Sequence, residues 1–253
     1  MQRLNIVIPM AGAGSRFTAA GYLDPKPLIP VHGIPMIRWV IENLKPQTPH
    51  RFIFICQQSH IESYDLTSKL CTWAPGCEIV GLNGLTEGAA CTVLSARHLI
   101  DNDDPLMIAN SDQYIDASID DYLLQMEIYK LGGLIMTMTA NDPKWSFVGL
   151  NNQGLVNTVV EKQVISDEAT VGIYNFNRGA DFVFAADSMI AKGLRVNNEF
   201  YVAPVYNQLI EDGATIGIYN VGAETAGMYG LGTPADLQLF LGLDLSKKKA
   251  EVL

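Results

Sequence analysis

The chain opens with an apolar run, Leu4-Asn5-Ile6-Val7-Ile8-Pro9-Met10, and continues directly with Ala11-Gly12-Ala13-Gly14-Ser15-Arg16-Phe17. A short run rich in β-branched residues predicts a buried strand. Glycines directly after such a strand let backbone N–H groups approach an anion, and Arg16 and Lys26 add positive charge beside them. The stretch therefore predicts a loop that binds phosphate.

Three interpretations of this loop compete. A dinucleotide-binding fingerprint requires glycine in place of Phe17 and a helix directly after the glycines, and Pro25, Pro27 and Pro30 argue against such a helix. A P-loop requires Gly-Lys-Ser/Thr, which the sequence lacks. On the glycines alone, a turn that serves only the fold stays open.

Three blocks resemble, in order and spacing, the signature of the sugar-phosphate nucleotidyltransferases, also called nucleoside-diphosphate-sugar pyrophosphorylases. They are Pro9 to Phe17, Pro25-Lys26-Pro27-Leu28 and Gly33-Ile34-Pro35-Met36-Ile37. The resemblance extends from Ile6 to about Leu241 and indicates a minimal single-domain member. It implies that a nucleoside triphosphate lies over the loop and is attacked at its α-phosphorus by a phosphate monoester, with release of pyrophosphate.

Strands and helices alternate in the first half of the predicted chain, which indicates right-handed βαβ crossovers and a mostly parallel sheet. Besides the first strand, the strands are predicted at 51–56, 78–82 and 105–110, and the helices at 36–44, 60–70 and 89–100. In the second half, strands separated by turn residues predict an antiparallel extension at 134–139, 145–150, 154–160 and 170–176. Helices at 180–192 and 205–211, a strand at 214–220 and a helix at 234–243 capped by Thr233 complete the prediction.

The resemblance implies one α/β domain over residues 1–253. It would be Rossmann-like, of the glycosyltransferase-A type, with helices on both faces of a mostly parallel central sheet and a small antiparallel extension. Residues 1–130 would form the nucleotide-binding half and 131–243 the acceptor-binding half. Residues 244–253, with a lysine run, are expected to be a frayed, solvated tail.

Ligands of such sheets bind at the carboxyl ends of the strands, so the glycine loop and Asp112 are expected at one edge. The resemblance implies catalytic roles for Arg16 and Lys26. It implies nucleotide binding by Met10, Ala11, Gly12, Ala13, Gly14, Ser15, Thr86, Gly88 and Ala89. Read alone, the segment from Thr86 equally fits the packing of an ordinary small-residue helix. The segment does not identify which nucleobase is bound.

Asp112 follows a buried apolar strand, where the family has a metal-binding aspartate, so the resemblance implies that it binds Mg²⁺. From its context alone, Asp112 equally fits a turn cap. Met228 to Pro234 resembles the family's Trp-x-Asp-x-Gly-Thr-Pro block, but Gly230 replaces its second metal-binding aspartate. Glu224 is a candidate substitute, although an ordinary surface carboxylate is the favoured interpretation. Otherwise phosphate oxygens and water complete the Mg²⁺ shell.

The acceptor is expected to bind in the second half of the chain. The resemblance implies that Lys162 binds the acceptor's phosphate and that Glu161 accepts hydrogen bonds from its hydroxyls. It implies that Gly172 and Tyr174 line the acceptor pocket, which Tyr201 helps to close. Without the resemblance, Glu161 and Lys162 fit a solvated surface pair and Tyr174 fits a core aromatic.

Composition restricts the class of protein. A chain of 253 residues with 48% hydrophobic residues can bury a large core, and its net charge of −10 argues against nucleic-acid binding. Neither a signal peptide nor a membrane-spanning apolar run is evident, so a cytoplasmic protein is expected. The 4 cysteines and 4 histidines lack metal-ligand spacing. The charged fraction of 17% is below the usual ~25%, which is compatible with a homo-oligomer.

Three functional hypotheses follow. The first is a Mg²⁺-dependent nucleotidyltransferase that activates a sugar 1-phosphate for surface polysaccharide synthesis, or that acts on a non-sugar phosphate. The second is a glycosyltransferase that consumes a nucleotide sugar, although such enzymes usually carry Asp-x-Asp where this chain has Ser111-Asp112-Gln113. The third is a catalytically silent relative, suggested by Gly230 and opposed by the presence of Arg16 and Lys26.

Overall fold

A computed structural model describes residues 2–253 and contains a large sheet of 11 strands and a ribbon of 2. The strands are β1 (Leu4–Pro9), β2 (Pro30–Val31), β3 (Ile34–Pro35), β4 (His50–Gln57), β5 (Glu78–Leu82), β6 (Leu106–Ala109), β7 (Gln113–Ile115), β8 (Gly133–Thr139), β9 (Ser146–Leu150), β10 (Val156–Glu161), β11 (Glu168–Phe176), β12 (Ile216–Glu224) and β13 (Gly227–Gly230). The α-helices are α1 (Ser15–Ala19), α2 (Met36–Leu44), α3 (Gln58–Tyr64), α4 (Leu66–Trp73), α5 (Ala89–Leu94), α6 (Arg97–Ile100), α7 (Ile119–Tyr129), α8 (Gly179–Ala191), α9 (Tyr206–Glu211), α10 (Pro234–Gly242) and α11 (Asp244–Ala250).

The large sheet has the strand order β5-β4-β1-β6-β11-β8-β12-β13-β7, and β9 joins β10 to β11. The first four strands of this order are parallel, with Ile6 of β1 between Phe52 of β4 and Met107 of β6. β11 runs antiparallel to β6 and β8. The β9–β10 pair is also antiparallel. The predicted mostly parallel sheet with an antiparallel extension is therefore confirmed.

Apolar side chains cover both faces of the sheet. On one face, Val40 of α2 and Leu70 of α4 join the cluster that contains Ile6. On the other face, Phe182 of α8 and Tyr206 of α9 join the cluster that contains Val7. Neighbouring residues of a strand point to opposite faces, so the central strand β1 contacts a helical layer on each face of the sheet. The two predicted halves of the chain share this one sheet. Within residues 2–253, no helix has the length and apolar character needed to span a membrane.

The carboxyl-terminal segment is helical, so the expectation of a frayed tail at 244–253 was wrong. Ser246 in α11 is fully buried, and its Oγ donates to the backbone oxygen of Phe240 at 2.6 Å. Leu245 and Leu253 pack beside Trp39 in a third apolar cluster. The lysine run suggested solvation, but the apolar and small residues on the opposite side of the same helix anchor it.

Other local predictions need correction. Pro25, Pro27 and Pro30 predict that no helix follows the glycines directly, yet α1 begins at Ser15 and ends before these prolines. The predicted helix at 60–70 is two helices, α3 and α4, because Asp65 has a φ of 49°. The predicted helix at 89–100 is likewise divided into α5 and α6. The prediction also missed β7, α7 and β13.

Candidate active site

A cavity of about 680 Å³ lies beyond the end of β6 and takes its walls from both halves of the chain. Eight of the residues predicted from sequence line it: Arg16, Ala89, Asp112, Glu161, Lys162, Gly172, Tyr174 and Tyr201. The other predicted residues do not line it: Met10, Ala11, Gly12, Ala13, Gly14, Ser15, Lys26, Thr86, Gly88 and Glu224. Segments more than 100 residues apart in sequence thus meet at one place.

The glycine loop lies between β1 and α1. Gln57 Nε2 donates to the backbone oxygen of Ala11 at 2.9 Å, and Phe17 is buried among the third apolar cluster. Burying one phenylalanine contributes about 1.5–3 kcal/mol, which fixes α1 against the fold. Gly14, with a φ of 62°, turns the chain into α1. Within residues 2–253, no acceptor bonds to the backbone N–H groups of residues 11–16, which leaves them available to an anion.

Lys26 and Asp112 form an ion pair beside this loop. Lys26 Nζ donates to Asp112 Oδ2 at 2.8 Å, and the two side chains are 23% and 20% exposed. Lys26 opens a 3-10 turn at Lys26–Leu28, where Pro25 and Pro27 restrict the backbone. Although Lys26 does not itself line the cavity, its ammonium group therefore reaches a carboxylate that does.

Two glycines pack closely against the segment 110–112, Gly232 on Asp112 and Gly172 on Asn110. A Cβ on Gly232 would lie 2.6 Å from Asp112 Oδ2, and the Leu231 N–H donates to the Asp112 backbone oxygen at 2.8 Å. A Cβ on Gly172, whose φ is 83°, would lie 2.1 Å from Asn110 Nδ2. The Asn110 N–H donates to the Gly172 oxygen at 2.9 Å. Glycine at these positions lets β11 and the segment after β13 close on the Asp112 loop.

The segment predicted to bind the nucleobase packs on the loop before α9. A Cβ on Gly88 would lie 2.5 Å from the backbone N and O of Phe200, so this contact alone requires glycine. The Phe200 N–H donates to the Glu87 oxygen at 2.8 Å, and the Ala90 N–H donates to the Phe200 oxygen at 3.0 Å. Thr86 Oγ1 donates to the Gly88 oxygen at 2.9 Å. Contact of Thr86, Gly88 and Ala89 with a nucleobase stays a prediction.

The acceptor side of the cavity contains buried polar side chains. Ser146 Oγ donates to Glu161 Oε2, and Thr170 Oγ1 lies 3.0 Å from the Tyr174 hydroxyl. Burial raises the pKa of Glu161 above its ordinary value, although the hydrogen bond from Ser146 opposes the shift. Burial also raises the pKa of Tyr174. These groups can exchange hydrogen bonds with a hydroxylated ligand. Glu161 is buried, so the alternative of a solvated Glu-Lys pair does not hold for it.

Lys162 lies at the end of β10 with its side chain exposed. Its Nζ donates to the Tyr201 hydroxyl at 2.8 Å, and this hydrogen bond raises the pKa of Lys162. The Lys162 N–H donates to the Trp145 oxygen at 3.0 Å. Lys162 also adopts a φ of 57°, which is uncommon for a residue with a side chain. The ammonium group is thus held at the cavity and keeps its charge at neutral pH.

The sequence analysis missed Lys144 and Asp236, which also line the cavity. Lys144 Nζ donates to Glu224 Oε1 at 2.8 Å, so the carboxylate proposed as a second metal ligand is already paired. Asp236 accepts a hydrogen bond of 2.7 Å from Thr233 Oγ1, and a Cβ on Gly230 would lie 3.7 Å from Asp236 Oδ2. Thr233 and Asp236 have the spacing of a helix-capping pair. That spacing explains Asp236 as a capping residue and does not indicate that its side chain also lies beside the cavity.

The carboxylates do not form a complete metal cage. Within residues 2–253, no group of three or more His, Cys, Asp or Glu side chains could hold a metal ion. Asp112 and Asp236 line the same cavity, and carboxylate oxygens are ligands that Mg²⁺ prefers. Because Mg²⁺ usually keeps several waters and binds substrate phosphates, one or two carboxylates are a fitting protein share.

Comparisons with known proteins identify the family and the fold of the chain. The family model described as Nucleotidyl transferase matches residues 6–214. A nucleoside-diphosphate-sugar pyrophosphorylase from Vibrio cholerae RC9 is 26% identical, with a TM-score of 0.80 over 94% of this chain and 100% of its own. A UDP-glucose pyrophosphorylase complexed with UDP-glucose is 15% identical, with a TM-score of 0.75 over 100% of both chains.

A third neighbour is an inositol-1-phosphate CTP transferase from T. maritima. It is 13% identical, with a TM-score of 0.73 over 100% of this chain and 98% of its own. The last two neighbours share the fold alone at these identities. A comparison with curated proteins found no match.

Proposed function

The chain belongs to the nucleotidyl transferase family, and from that premise we propose that it couples a nucleoside triphosphate to a phosphorylated small metabolite and releases pyrophosphate. A sugar 1-phosphate is the favoured acceptor, because the 26% identical neighbour is named a nucleoside-diphosphate-sugar pyrophosphorylase. The match over residues 6–214 favours this reaction over the glycosyltransferase hypothesis.

One observation carries the proposal. Arg16 after the glycine loop, Asp112 after β6 and Lys162 after β10 line a single cavity. Bringing a triphosphate and a phosphate monoester together requires cations that neutralise the converging oxygens. The three positions supply a cation on the side of the glycine loop, a carboxylate beside it and a cation on the acceptor side.

The proposed reaction forms one phosphorus–oxygen bond and breaks another. A phosphate oxygen of the acceptor attacks the α-phosphorus, and the bond from that phosphorus to the bridging oxygen of the leaving pyrophosphate breaks. Arg16 and Lys26 stabilise the charge that develops on the triphosphate. Lys162 holds the acceptor phosphate in line for attack, and Glu161 accepts hydrogen bonds from the acceptor's hydroxyls.

The site residues also fit a magnesium ion. Asp112 would hold it, and Asp236 is the carboxylate best placed to assist, because it lies beside Gly230 while Glu224 is bound to Lys144. When bound, Mg²⁺ would supply positive charge to the phosphate oxygens. We propose Asp236 in place of Glu224 as the second carboxylate of this site.

The product would be a nucleoside-diphosphate-activated metabolite. We propose that the protein makes this product in the cytoplasm. The product would serve the synthesis of a surface polysaccharide, since activated sugars are the donors for such polymers. The 26% identical neighbour supports this class of product, because it is named a nucleoside-diphosphate-sugar pyrophosphorylase.

The test is release of pyrophosphate. CTP, UTP, dTTP, GTP and ATP are each combined with sugar phosphates and with non-sugar phosphates, such as choline phosphate and inositol 1-phosphate, in the presence of Mg²⁺. Release that requires both a nucleotide and an acceptor supports the proposal and identifies both substrates. If no pair releases pyrophosphate while a nucleotide sugar raises the melting temperature, the glycosyltransferase hypothesis replaces it. If neither release nor nucleotide binding occurs, the chain is the silent relative.

A further inference from the structure

Two cysteine side chains meet between α4 and β5, away from the residues that line the cavity. The Sγ atoms of Cys71 and Cys77 lie 3.9 Å apart, and both are free thiols. Cys71 is exposed and Cys77 is half-buried against the apolar cluster of the α4 face. A disulfide requires the sulfur atoms at about 2.05 Å. The remaining approach between the two sulfur atoms is therefore about 2 Å.

The local sequence explains why these two side chains meet. Cys71 lies in the last turn of α4, and the four residues Ala74-Pro75-Gly76-Cys77 reverse the chain. The Cys77 N–H donates to the Ala74 oxygen at 3.1 Å, and Gly76 has a φ of 78°. Proline followed by a glycine with positive φ is typical of a tight type II turn. This turn brings Cys77 back over the end of the helix that carries Cys71.

We propose that Cys71 and Cys77 are a dithiol modification site that a low-molecular-weight disulfide, such as glutathione disulfide, converts to an intrachain disulfide. The Cys71 thiolate attacks one sulfur of the oxidant, and a glutathione thiolate leaves. The Cys77 sulfur then attacks Cys71 Sγ, loses its proton to water and displaces the glutathione. Both cysteines are oxidised, and the oxidant is reduced to two glutathione molecules.

The surroundings assign the order of the two steps. Burial, together with the neighbouring Cys71 thiol, raises the pKa of Cys77 to about 12, so Cys77 is protonated at neutral pH. Cys71 is exposed and meets the oxidant first. The other two thiols are less suited to the first step, because Cys56 is fully buried and therefore out of reach of the oxidant, and burial raises the pKa of Cys91.

The disulfide would tie the end of α4 to the start of β5. β5 is an edge strand of the described sheet of residues 2–253. Within that part of the chain, it has hydrogen-bonded backbone contact with β4 alone, on one of its two sides. Closing this short loop removes conformations from the unfolded chain. Neither cysteine lines the cavity, so oxidation should raise the melting temperature and leave the turnover of the enzyme unchanged.

The test uses mass spectrometry after incubation of the folded protein with glutathione disulfide. Trypsin cleaves after Lys69 and a glutamate-specific protease cleaves after Glu78, so one peptide, 70–78, carries both cysteines. We expect this peptide to become lighter by two hydrogen atoms and the melting temperature to rise. Cys91→Ser serves as the control and should form the disulfide as the wild-type protein does.

Two variants complete the test. Cys77→Ser should retain glutathione on Cys71, because the resolving thiol is absent, and Cys71→Ser should gain no disulfide. A wild-type peptide 70–78 that stays reduced, or that keeps glutathione on Cys71 as Cys77→Ser does, would overturn the proposal. The result is independent of which reaction the enzyme catalyses.

Discussion

Lys26 Nζ lies 2.8 Å from Asp112 Oδ2, although the two residues are 86 positions apart in the chain. The pair joins the segment after the glycine loop to the segment after β6. In the proposed reaction each partner exchanges this contact for a ligand, Lys26 for a phosphate and Asp112 for Mg²⁺. The ion pair therefore keeps the ammonium group of Lys26 and the carboxylate of Asp112 in place before substrates bind.

Replacement of Lys26 by alanine should lower kcat by roughly 100- to 1,000-fold, because a cation that stabilises the transferring phosphates is lost. The fold should persist, since the side chain is partly exposed and makes one ion pair. Pyrophosphate release gives kcat, and circular dichroism reports folding. Lys45→Ala, at an exposed position just after α2, is the matched control. Equal turnover in the two variants would remove Lys26 from the mechanism.

Asp236→Asn should weaken binding of Mn²⁺, a paramagnetic substitute for Mg²⁺, by roughly 10- to 100-fold in the presence of pyrophosphate. Asp112→Asn should weaken it at least as much. Electron paramagnetic resonance measures free Mn²⁺ directly and does not depend on turnover. The asparagine at 236 can still accept the hydrogen bond from Thr233, so the helix cap is preserved.

The double variant Asp236→Asn with Gly230→Asp is the decisive comparison for the second carboxylate. A Cβ at residue 230 meets no atom closer than 3.7 Å, so a side chain can begin there without a clash, and aspartate would return a carboxylate beside residue 236. We expect it to restore Mn²⁺ binding. Unchanged affinity in Asp236→Asn, with a loss in Glu224→Gln, would assign the role to Glu224 instead.

Gly232→Ala should reduce kcat by about 100-fold, because its Cβ would lie 2.6 Å from Asp112 Oδ2 and displace that carboxylate. Gly242→Ala, where a Cβ meets nothing within 4 Å, is the matched control and should retain activity. Kinetic assays and melting temperatures of both variants check the expectation. If Gly232→Ala kept full turnover, close contact with Asp112 would not be needed for catalysis.

Glu161 should make binding of a hydroxylated acceptor dependent on pH. Burial raises the pKa of Glu161 above its ordinary 4.5, and the ionised form is the better hydrogen-bond acceptor. The value of kcat/KM for the acceptor should therefore fall as pH decreases through this raised pKa, at higher pH than for an exposed glutamate. Glu161→Gln should lose this acid limb, and a profile identical to wild type would contradict the assignment.

The same shift has the opposite sign for stability. Because the folded-state pKa exceeds the unfolded value of 4.5, the folded protein binds this proton more tightly. The contribution of Glu161 to stability is therefore fully present below the unfolded pKa of 4.5, and it declines as pH rises through the folded-state pKa. Melting temperatures of wild type and Glu161→Gln across this range should diverge as pH rises, in favour of the glutamine variant.

The local pattern of the sequence predicted the strands and the sheet well. β1, β4, β6 and β11 each carry apolar or β-branched runs that are buried on both faces of the sheet, so their composition alone identified them. The short strand β13, by contrast, is Gly-Met-Tyr-Gly and carries no such run. It is a strand because β7 and β12 present edges to it, which no local pattern encodes.

The sequence pattern predicted that the glycine loop and Asp112 lie at one edge of the sheet, and the family resemblance added Lys162 on the acceptor side. The structure places Arg16, Asp112 and Lys162 in the lining of one cavity. Only the tertiary structure decided the finer relationships. Glu224 is paired with Lys144. Asp236 stands beside Gly230. Gly88 is required by the Phe200 backbone.

The physical reason for this division is range. Hydrophobic periodicity and turn residues act over a few neighbours, so they determine strands, helices and loops directly from the chain. Ion pairs and van der Waals contacts act over a few ångströms in space, whatever the separation in sequence. The sequence therefore determined the fold and the family of this protein, and tertiary packing decided which carboxylate pairs with which cation at the site.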